Sequence, residues 1–141
     1  MAGTVAVSSD ILYPKAGVFG EQNTREVTLL CTADDSDASY PDTNIVYLSG
    51  YEHGPLSGWG LWMVETDPGT TGPTADTDLY LKTANGTDIL GGNGENAIDN
   101  ATNNLIYPPV SPFMIGGTLT QDIDNNAVNE AVVTIKYYLV R

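Results

Sequence analysis

The stretch GGNGENAID, residues 91–99, has the composition and spacing most suggestive of chemistry in this chain. It fits the nine-residue calcium repeat G-G-x-G-x-D-x-U-x, with Asn96 in the aspartate position. Gly86, Asp88 and Leu90 echo the pattern, but at a spacing of eight residues rather than nine. A calcium roll needs at least about three stacked repeats, and the sequence contains no third. We therefore do not expect a calcium roll.

An isolated oxygen-rich cation site remains an alternative at the same stretch, using Asp88, Asn93, Glu95 or Asp99. Calcium requires about six to eight oxygen ligands, more than these side chains supply without help. Clustered glycine and asparagine are typical of irregular, solvated backbone. We therefore favour a purely structural loop over residues 91–104.

Other candidates for metal binding or catalysis lack residues that the chemistry requires. Residues 122–127 resemble the start of an EF-hand loop, but the required glycine is missing and Val133 occupies the position of the bidentate acid. His53 is the only histidine and stands beside Glu52, with no nucleophile next to it. The sequence therefore assigns no catalytic residue, no cofactor and no metal ligand. A small hydrolase is supported only by the abundance of carboxylates.

Aromatic residues concentrate between positions 47 and 62, where Tyr47, Tyr51, Trp59 and Trp62 accompany His53. Aromatic side chains on an antiparallel sheet can stack against sugar rings, which makes a carbohydrate platform one hypothesis. Trp62 falls in a predicted strand and Trp59 lies beside glycines, so packing in the core or at a subunit interface is the favoured interpretation.

Charge excludes several classes of partner. Five basic residues against eighteen acidic ones give a formal net charge of −13, which repels phosphate backbones and anionic lipid. No run approaches the roughly 20 apolar residues of a membrane helix, and the first residues lack a secretory-signal pattern. We expect a cytoplasmically made protein that binds neither nucleic acid nor membrane.

The single cysteine, Cys31, is expected to be a small buried hydrophobe.

The strongest local prediction is a β-hairpin at Asn85-Gly86, a two-residue turn in which both positions tolerate positive φ. This register places Leu81 opposite Leu90. Leu79, Leu81 and Leu90 then share an apolar core face, while Ile89 lies on the other face.

Short segments of period two, separated by turn signals, predict about eight strands. In chain order these are residues 4–8, 26–32, 45–49, 60–65, the two hairpin strands, 113–120 and 131–140. Residues 66–76 read as a long exposed loop, 105–112 as an extended proline crossing that cannot be a central strand, and 121–130 as a polar connection. No segment has helical periodicity.

This pattern predicts an all-β protein, an antiparallel β-sandwich of jelly-roll type, with barrel closure as the less favoured variant. Residues 1–20 are interpreted as an N-terminal arm or edge strand, and residues 21–141 as a single β-sandwich domain.

The stretch GTDILGGNGENAIDNATNN, the crossing IYPPVSP and the closing pair FMIGGTLT and AVVTIKYYLV resemble small virion proteins of tailed phages, particularly head-decoration (cement) proteins. The resemblance covers roughly the last 65 residues. It implies a non-enzymatic, β-rich subunit that binds the major capsid protein on the capsid exterior, often as a homotrimer. Residues 1–20 would then grip a neighbour, and the loops 66–76 and 91–104 would be contacts or outward tips. The alternative is a carbohydrate- or receptor-binding module of a tail fibre or spike.

Overall fold

The computed structural model describes residues 1–14 and 23–141, and this part of the chain contains nine strands and no helix. The strands are β1 (Thr4–Tyr13), β2 (Thr24–Thr32), β3 (Thr43–Asn44), β4 (Gly60–Pro68), β5 (Asp78–Lys82), β6 (Asn104–Ile106), β7 (Phe113–Met114), β8 (Thr120–Asp124) and β9 (Val132–Val140). The all-β prediction is confirmed, with one strand more than expected.

The strands form two antiparallel sheets. The six-stranded sheet has the order β1-β2-β9-β4-β6, and β7 also pairs with β4. The three-stranded sheet has the order β3-β8-β5. In β9 the predicted faces are confirmed, because Val133, Ile135, Tyr137 and Leu139 are buried while the residues between them are only half-buried.

Buried residues of both sheets belong to one hydrophobic core. Polar side chains also join the sheets, since the Tyr137 hydroxyl donates to Gln121 Oε1 and the Gln121 amide donates to Cys31 Sγ at 3.4 Å. Cys31 is fully buried, as predicted, and burial raises the pKa of its thiol to about 12. A thiol in this environment stays protonated at neutral pH and packs as a small apolar group.

The N-terminal residues were interpreted as an arm or an edge strand, and in the structure residues 4–13 form an edge strand. β1 pairs with β2 over its whole length, from Thr4 opposite Thr32 to Tyr13 opposite Thr24. Val5, Val7 and Leu12 pack against the core. The remainder of the predicted arm, residues 15–20, lies outside the described residues.

The predicted hairpin exists with a different turn. Only Gly86 of the Asn85-Gly86 pair has positive φ, at 82°, and its N–H donates to the Thr83 carbonyl at 2.9 Å. This arrangement is a type I turn followed by a left-handed glycine, which makes the loop one residue longer than predicted. The register shifts accordingly, and the Ile89 N–H donates to the Leu81 carbonyl at 2.8 Å.

The one-residue shift corrects two expectations about the hairpin faces. Leu81 lies opposite Ile89 rather than Leu90, and Ile89 is buried in the core rather than outward. Leu79, Leu81 and Leu90 are fully buried, as predicted.

The strand predicted over residues 45–49 is wrong. The side-chain oxygen of Asn44 accepts the N–H groups of Val46 at 3.1 Å and Leu119 at 3.2 Å, so the chain turns directly after β3. Ile45 and Val46 are fully buried from this turn. Their apolar character reflects burial in the core, not strand alternation.

The predicted strand over residues 113–120 is also wrong, because the chain changes sheets within it. β7 pairs with β4 in the six-stranded sheet, whereas β8 begins at Thr120 and pairs with β3 and β5. Gly116 and Gly117 lie at the crossing. β8 then occupies the first residues of the predicted polar connection 121–130, and β4 extends through Pro68 into the predicted loop 66–76.

Candidate functional site

The structure separates the clustered aromatic residues into core and surface. Trp59 is 3% exposed and belongs to the core, whereas Trp62 is 47% exposed. The half-buried Tyr51 donates its hydroxyl to the Ile45 carbonyl, and Tyr47 is exposed at a separate loop. His53 is exposed and uses its backbone N–H, not its ring, to bond Asp10. A platform built from both tryptophans is therefore excluded.

A β-bulge in β4 places Trp62 on the outer face of the six-stranded sheet. Leu61 pairs with Leu139 and Met63 pairs with Tyr138, so Trp62 is the extra residue between them. Leu61 and Leu139 are buried, while Tyr138 belongs to the outward set of β9. Bulges of this kind commonly redirect a side chain at functional sites.

The bulge forms one wall of a concave surface that we call the Trp62 groove. Its larger part has a volume of about 440 Å³ and is lined by Thr24, Trp62, Ser111, Pro112 and Val140. A second part, of about 240 Å³, shares Thr24 and Trp62 with the first. The other residues lining this second part are Tyr13, Arg25, Glu26, Tyr138 and Leu139.

Hydrogen bonds hold the polar side chains around this groove in place. The Tyr13 hydroxyl bonds to Glu26, and this bond raises the pKa of Tyr13. The Tyr138 hydroxyl donates to Glu65 Oε1 at 2.8 Å, and burial together with this bond raises the pKa of Tyr138 to about 12. Lys136 Nζ lies 4.0 Å from Glu26 Oε1. The phenol groups of the two tyrosines, the two carboxylates and the Lys136 ammonium thus alternate around the groove. Together these side chains carry little net charge.

A second surface lies at the edge of the same sheet, on β6, β7 and the proline crossing between them. Leu105, Tyr107, Val110 and Met114 are between 48% and 71% exposed, and we call them the crossing patch. Residues 100–121, which contain this patch, include no Asp, Glu, Lys, Arg or His. Exposed apolar side chains on an uncharged stretch are typical of the centre of a protein interface.

The crossing is fixed to the body of the protein. The Ser111 hydroxyl donates to the Trp62 carbonyl at 2.7 Å, and the Asn93 amide donates to the Tyr107 carbonyl at 2.9 Å. A Cβ at Gly91 would lie 2.6 Å from the Pro109 ring, so glycine is required for this close approach. The crossing patch is therefore presented on a preformed backbone.

The polar loop does not bring its candidate cation ligands together. Asp88 Oδ1 accepts the N–H groups of Leu81 and Leu90 at 3.1 Å each, and its Oδ2 accepts the N–H of Gly92 at 3.0 Å. Asp99 Oδ2 accepts the N–H of Thr102 at 3.1 Å. These carboxylates cap backbone turns, as a structural loop requires.

The other two candidate cation ligands, Asn93 and Glu95, have different environments. Asn93 anchors the crossing through its amide, and Glu95 is exposed. Among residues 1–14 and 23–141, no three side chains of His, Cys, Asp or Glu form a group that could hold a metal ion.

Three carboxylates meet on the outer face of the three-stranded sheet around Lys82. Lys82 Nζ bonds to Asp122 Oδ2 at 2.6 Å, and Asp122 in turn hydrogen-bonds to Asp42 and Asp124. Partial desolvation, followed by the neighbouring Asp122, raises the pKa of both Asp42 and Asp124, although both residues stay exposed. Burial opposes ionisation of Asp122 too, but its bonds to Lys82 and the two acids lower its pKa overall.

Sequence reasoning missed the contribution of Tyr13 and Tyr138 to the Trp62 groove. Both lie on outward positions of their strands, which the period-two pattern reveals once the strands are known. The bulge leaves only a weak signal, because Leu61, Trp62, Met63 and Val64 form an unbroken apolar run.

No protein-family model, curated protein or solved structure matches this chain. The described residues form no helix that is long and apolar enough to cross a membrane. What the protein does must therefore be inferred from its own surfaces, and its resemblance to decoration proteins stays a prediction.

Proposed function

We propose that this chain is a non-enzymatic structural protein of a tailed-phage virion, of the head-decoration or cement type. In this proposal it binds the major capsid protein on the capsid exterior and stabilises the head. The observation that carries the proposal is the crossing patch, where Leu105, Tyr107, Val110 and Met114 expose apolar surface on a fixed backbone.

The distribution of charge supports a protein partner on the particle exterior. A chain with a formal net charge of −13 is repelled by packaged DNA, yet residues 100–121 contribute none of that charge. An apolar, uncharged patch can be covered by a protein surface without burying unpaired ions. We infer that the crossing patch is the side that meets the capsid and that the acidic loops face solvent.

We infer that the two sheets pack face to face as a jelly-roll-like sandwich. Their shared core and the bonded series Tyr137, Gln121 and Cys31 support this arrangement. The chain also passes repeatedly between sheets, since β3, β5 and β8 alternate with strands of the six-stranded sheet. Such crossings are typical of Greek-key sandwiches.

We further propose that the functional unit is a homotrimer around a capsid symmetry axis. Half-exposed apolar side chains on the six-stranded sheet, including Ile11 and Leu30, offer surface for contacts between copies. Light scattering at micromolar concentration should give the mass of three chains. A monomer mass in solution and one isolated copy per site on the particle would contradict the trimer.

The experiment for the main proposal is rebinding to virions assembled from the genome that encodes the chain, after the chain has been stripped from them. Replacing Val110 and Met114 by Asp places two charges in the crossing patch and should reduce co-sedimentation at least about tenfold, because each charge must be desolvated on binding. Tyr47→Asp, at an exposed aromatic outside the patch, is the matched control and should rebind normally. Equal rebinding of all three proteins, with unchanged melting temperatures, would contradict the proposal.

A further inference from the structure

We propose that the Trp62 groove is a binding site for a neutral saccharide, with a pyranose ring stacked on the indole of Trp62. This site shares no residue with the crossing patch, although Ser111 and Pro112 of the proline crossing border it, and it would exist whether or not the protein decorates a capsid. The aromatic rings that form it come from the strands β1, β4 and β9, and the proline crossing adds Ser111 and Pro112 at one side.

The first argument is the presentation of the aromatic rings. The bulge directs Trp62 outward, and 47% of the residue stays exposed. Tyr13 is exposed to the same extent on the other side of the groove. A sugar ring has an apolar face of C–H groups, and a half-exposed indole offers a large apolar surface at little cost in conformational entropy.

The second argument is the combination of polar groups. Saccharide hydroxyls both donate and accept, so a site for them needs acceptors and donors in alternation. Glu26 and the hydroxyls of Thr24 and Ser111 border the groove, and Tyr13 is already bonded to Glu26. A mostly apolar cleft with a few fixed polar groups is the usual composition of a small-molecule site.

The third argument is size and shape. The part beside Trp62, Pro112 and Val140 has a volume of about 440 Å³, and the adjoining part beside Tyr13 and Tyr138 has about 240 Å³. These volumes suit a short oligosaccharide, with the first ring on Trp62 and the next toward Tyr13. The crossing patch differs, since it projects apolar groups and suits a protein surface.

The fourth argument is charge. Glu26 lies beside Lys136 and Glu65 is bonded by Tyr138, so the groove carries no excess of positive charge. An anionic glycan would meet both this carboxylate-bearing wall and the net charge of −13. The geometry therefore points to neutral hexose-type sugars and not to sialylated or sulfated ones.

The experiment is a glycan array that contains neutral, sialylated and sulfated oligosaccharides, followed by titration of the bound glycans in solution. Trp62 and Trp59 are the only tryptophans, and Trp59 is buried, so binding should change the emission of Trp62. Trp62→Phe should abolish that change in emission while retaining part of the affinity. Trp62→Ala should weaken binding at least about tenfold, as expected for the loss of an aromatic stacking partner.

The matched control is Tyr47→Ala, which removes an exposed aromatic outside the groove and should bind like the wild type. Glu26→Gln should weaken binding without changing the preference for neutral glycans. The proposal is overturned if the wild type binds no glycan at millimolar concentration, if it binds only anionic glycans, or if Trp62→Ala binds equally well. It is also overturned if a peptide, rather than a glycan, changes the emission of Trp62.

Discussion

The guanidinium of Arg25 is fully buried and bonds the carboxylate of Asp10 through two contacts of 2.8 Å. Arg25 Nη2 also donates to the Gly54 carbonyl at 2.6 Å. The guanidinium lies 5.5 Å from the centre of the Tyr51 ring and 5.3 Å from that of Trp59. This ion pair fastens β1 to β2 and to the loop that follows β3.

Removing one partner of this pair should be costly. Asp10→Asn keeps the side-chain volume but leaves the Arg25 charge buried without its counter-ion, which should cost about 3–5 kcal/mol of unfolding free energy. Replacing both residues, with Arg25→Met added, should cost less than the sum of the single changes. Urea unfolding of the three variants measures this. Additive losses would show that the two side chains do not stabilise the fold as a pair.

Deleting residues 1–14 should destabilise the protein rather than release an independent arm. The deletion removes Asp10, leaves the buried Arg25 without its counter-ion, and uncovers the core where Val5, Val7 and Leu12 pack. Thermal unfolding should therefore show a lower melting temperature. Deletion of Met1 and Ala2 alone, which lie before β1, is the control. An unchanged melting temperature in the longer deletion would mean that β1 is dispensable.

The carboxylates around Lys82 predict a pH-dependent effect of one substitution. The folded-state pKa of Asp124 is raised, first by partial desolvation and then by Asp122, so its ionisation costs stability as the pH rises through that pKa. Asp124→Asn should raise the melting temperature at pH 7 and leave it nearly unchanged at pH 3, where the wild-type carboxyl is protonated. Glu95→Gln, at an exposed acid outside the cluster, should show no such difference. A gain at pH 3 equal to that at pH 7 would contradict the assignment.

Close packing of the polar loop against β5 gives a prediction for its glycines. A Cβ at Gly94 would lie 2.0 Å from the Leu79 carbonyl oxygen, whose residue also donates its N–H to the Gly94 carbonyl. Gly94→Ala should therefore displace the loop and cost about 1–3 kcal/mol as an overpacking change. Gly116→Ala, where a Cβ meets nothing within 4 Å, should be nearly neutral. Equal stability of the two variants in chemical denaturation would show that the loop can shift to accommodate the added Cβ without loss of stability.

The strands in which apolar and polar residues alternate regularly could be predicted from the sequence. β2 and β9 each bury every second residue, and their faces follow directly from the sequence. The turn at Asn85-Gly86 was located correctly, but its type was not, because the same residues suit loops of different length. The single strand predicted over residues 113–120 was wrong because apolar residues stand on both sides of Gly116-Gly117, where the chain leaves one sheet for the other.

The surfaces were harder to predict than the core. Trp62 was recognised as a strand residue, yet its outward direction depends on a bulge that only the pairing with β9 reveals. The Arg25–Asp10 pair depends on the register between β1 and β2, in which Asp10 lies opposite Val27 and Leu12 opposite Arg25. Contacts set by register join residues far apart in the chain, and local composition carries no information about them.

The measurement that tests the central claim most directly is an electron-microscopy map of virions assembled from the encoding genome. We predict density for this chain on the capsid exterior, with Leu105, Tyr107, Val110 and Met114 against the major capsid protein and the acidic loops toward solvent. A particle that lacks the chain, or that binds it with the crossing patch facing solvent, would contradict the account.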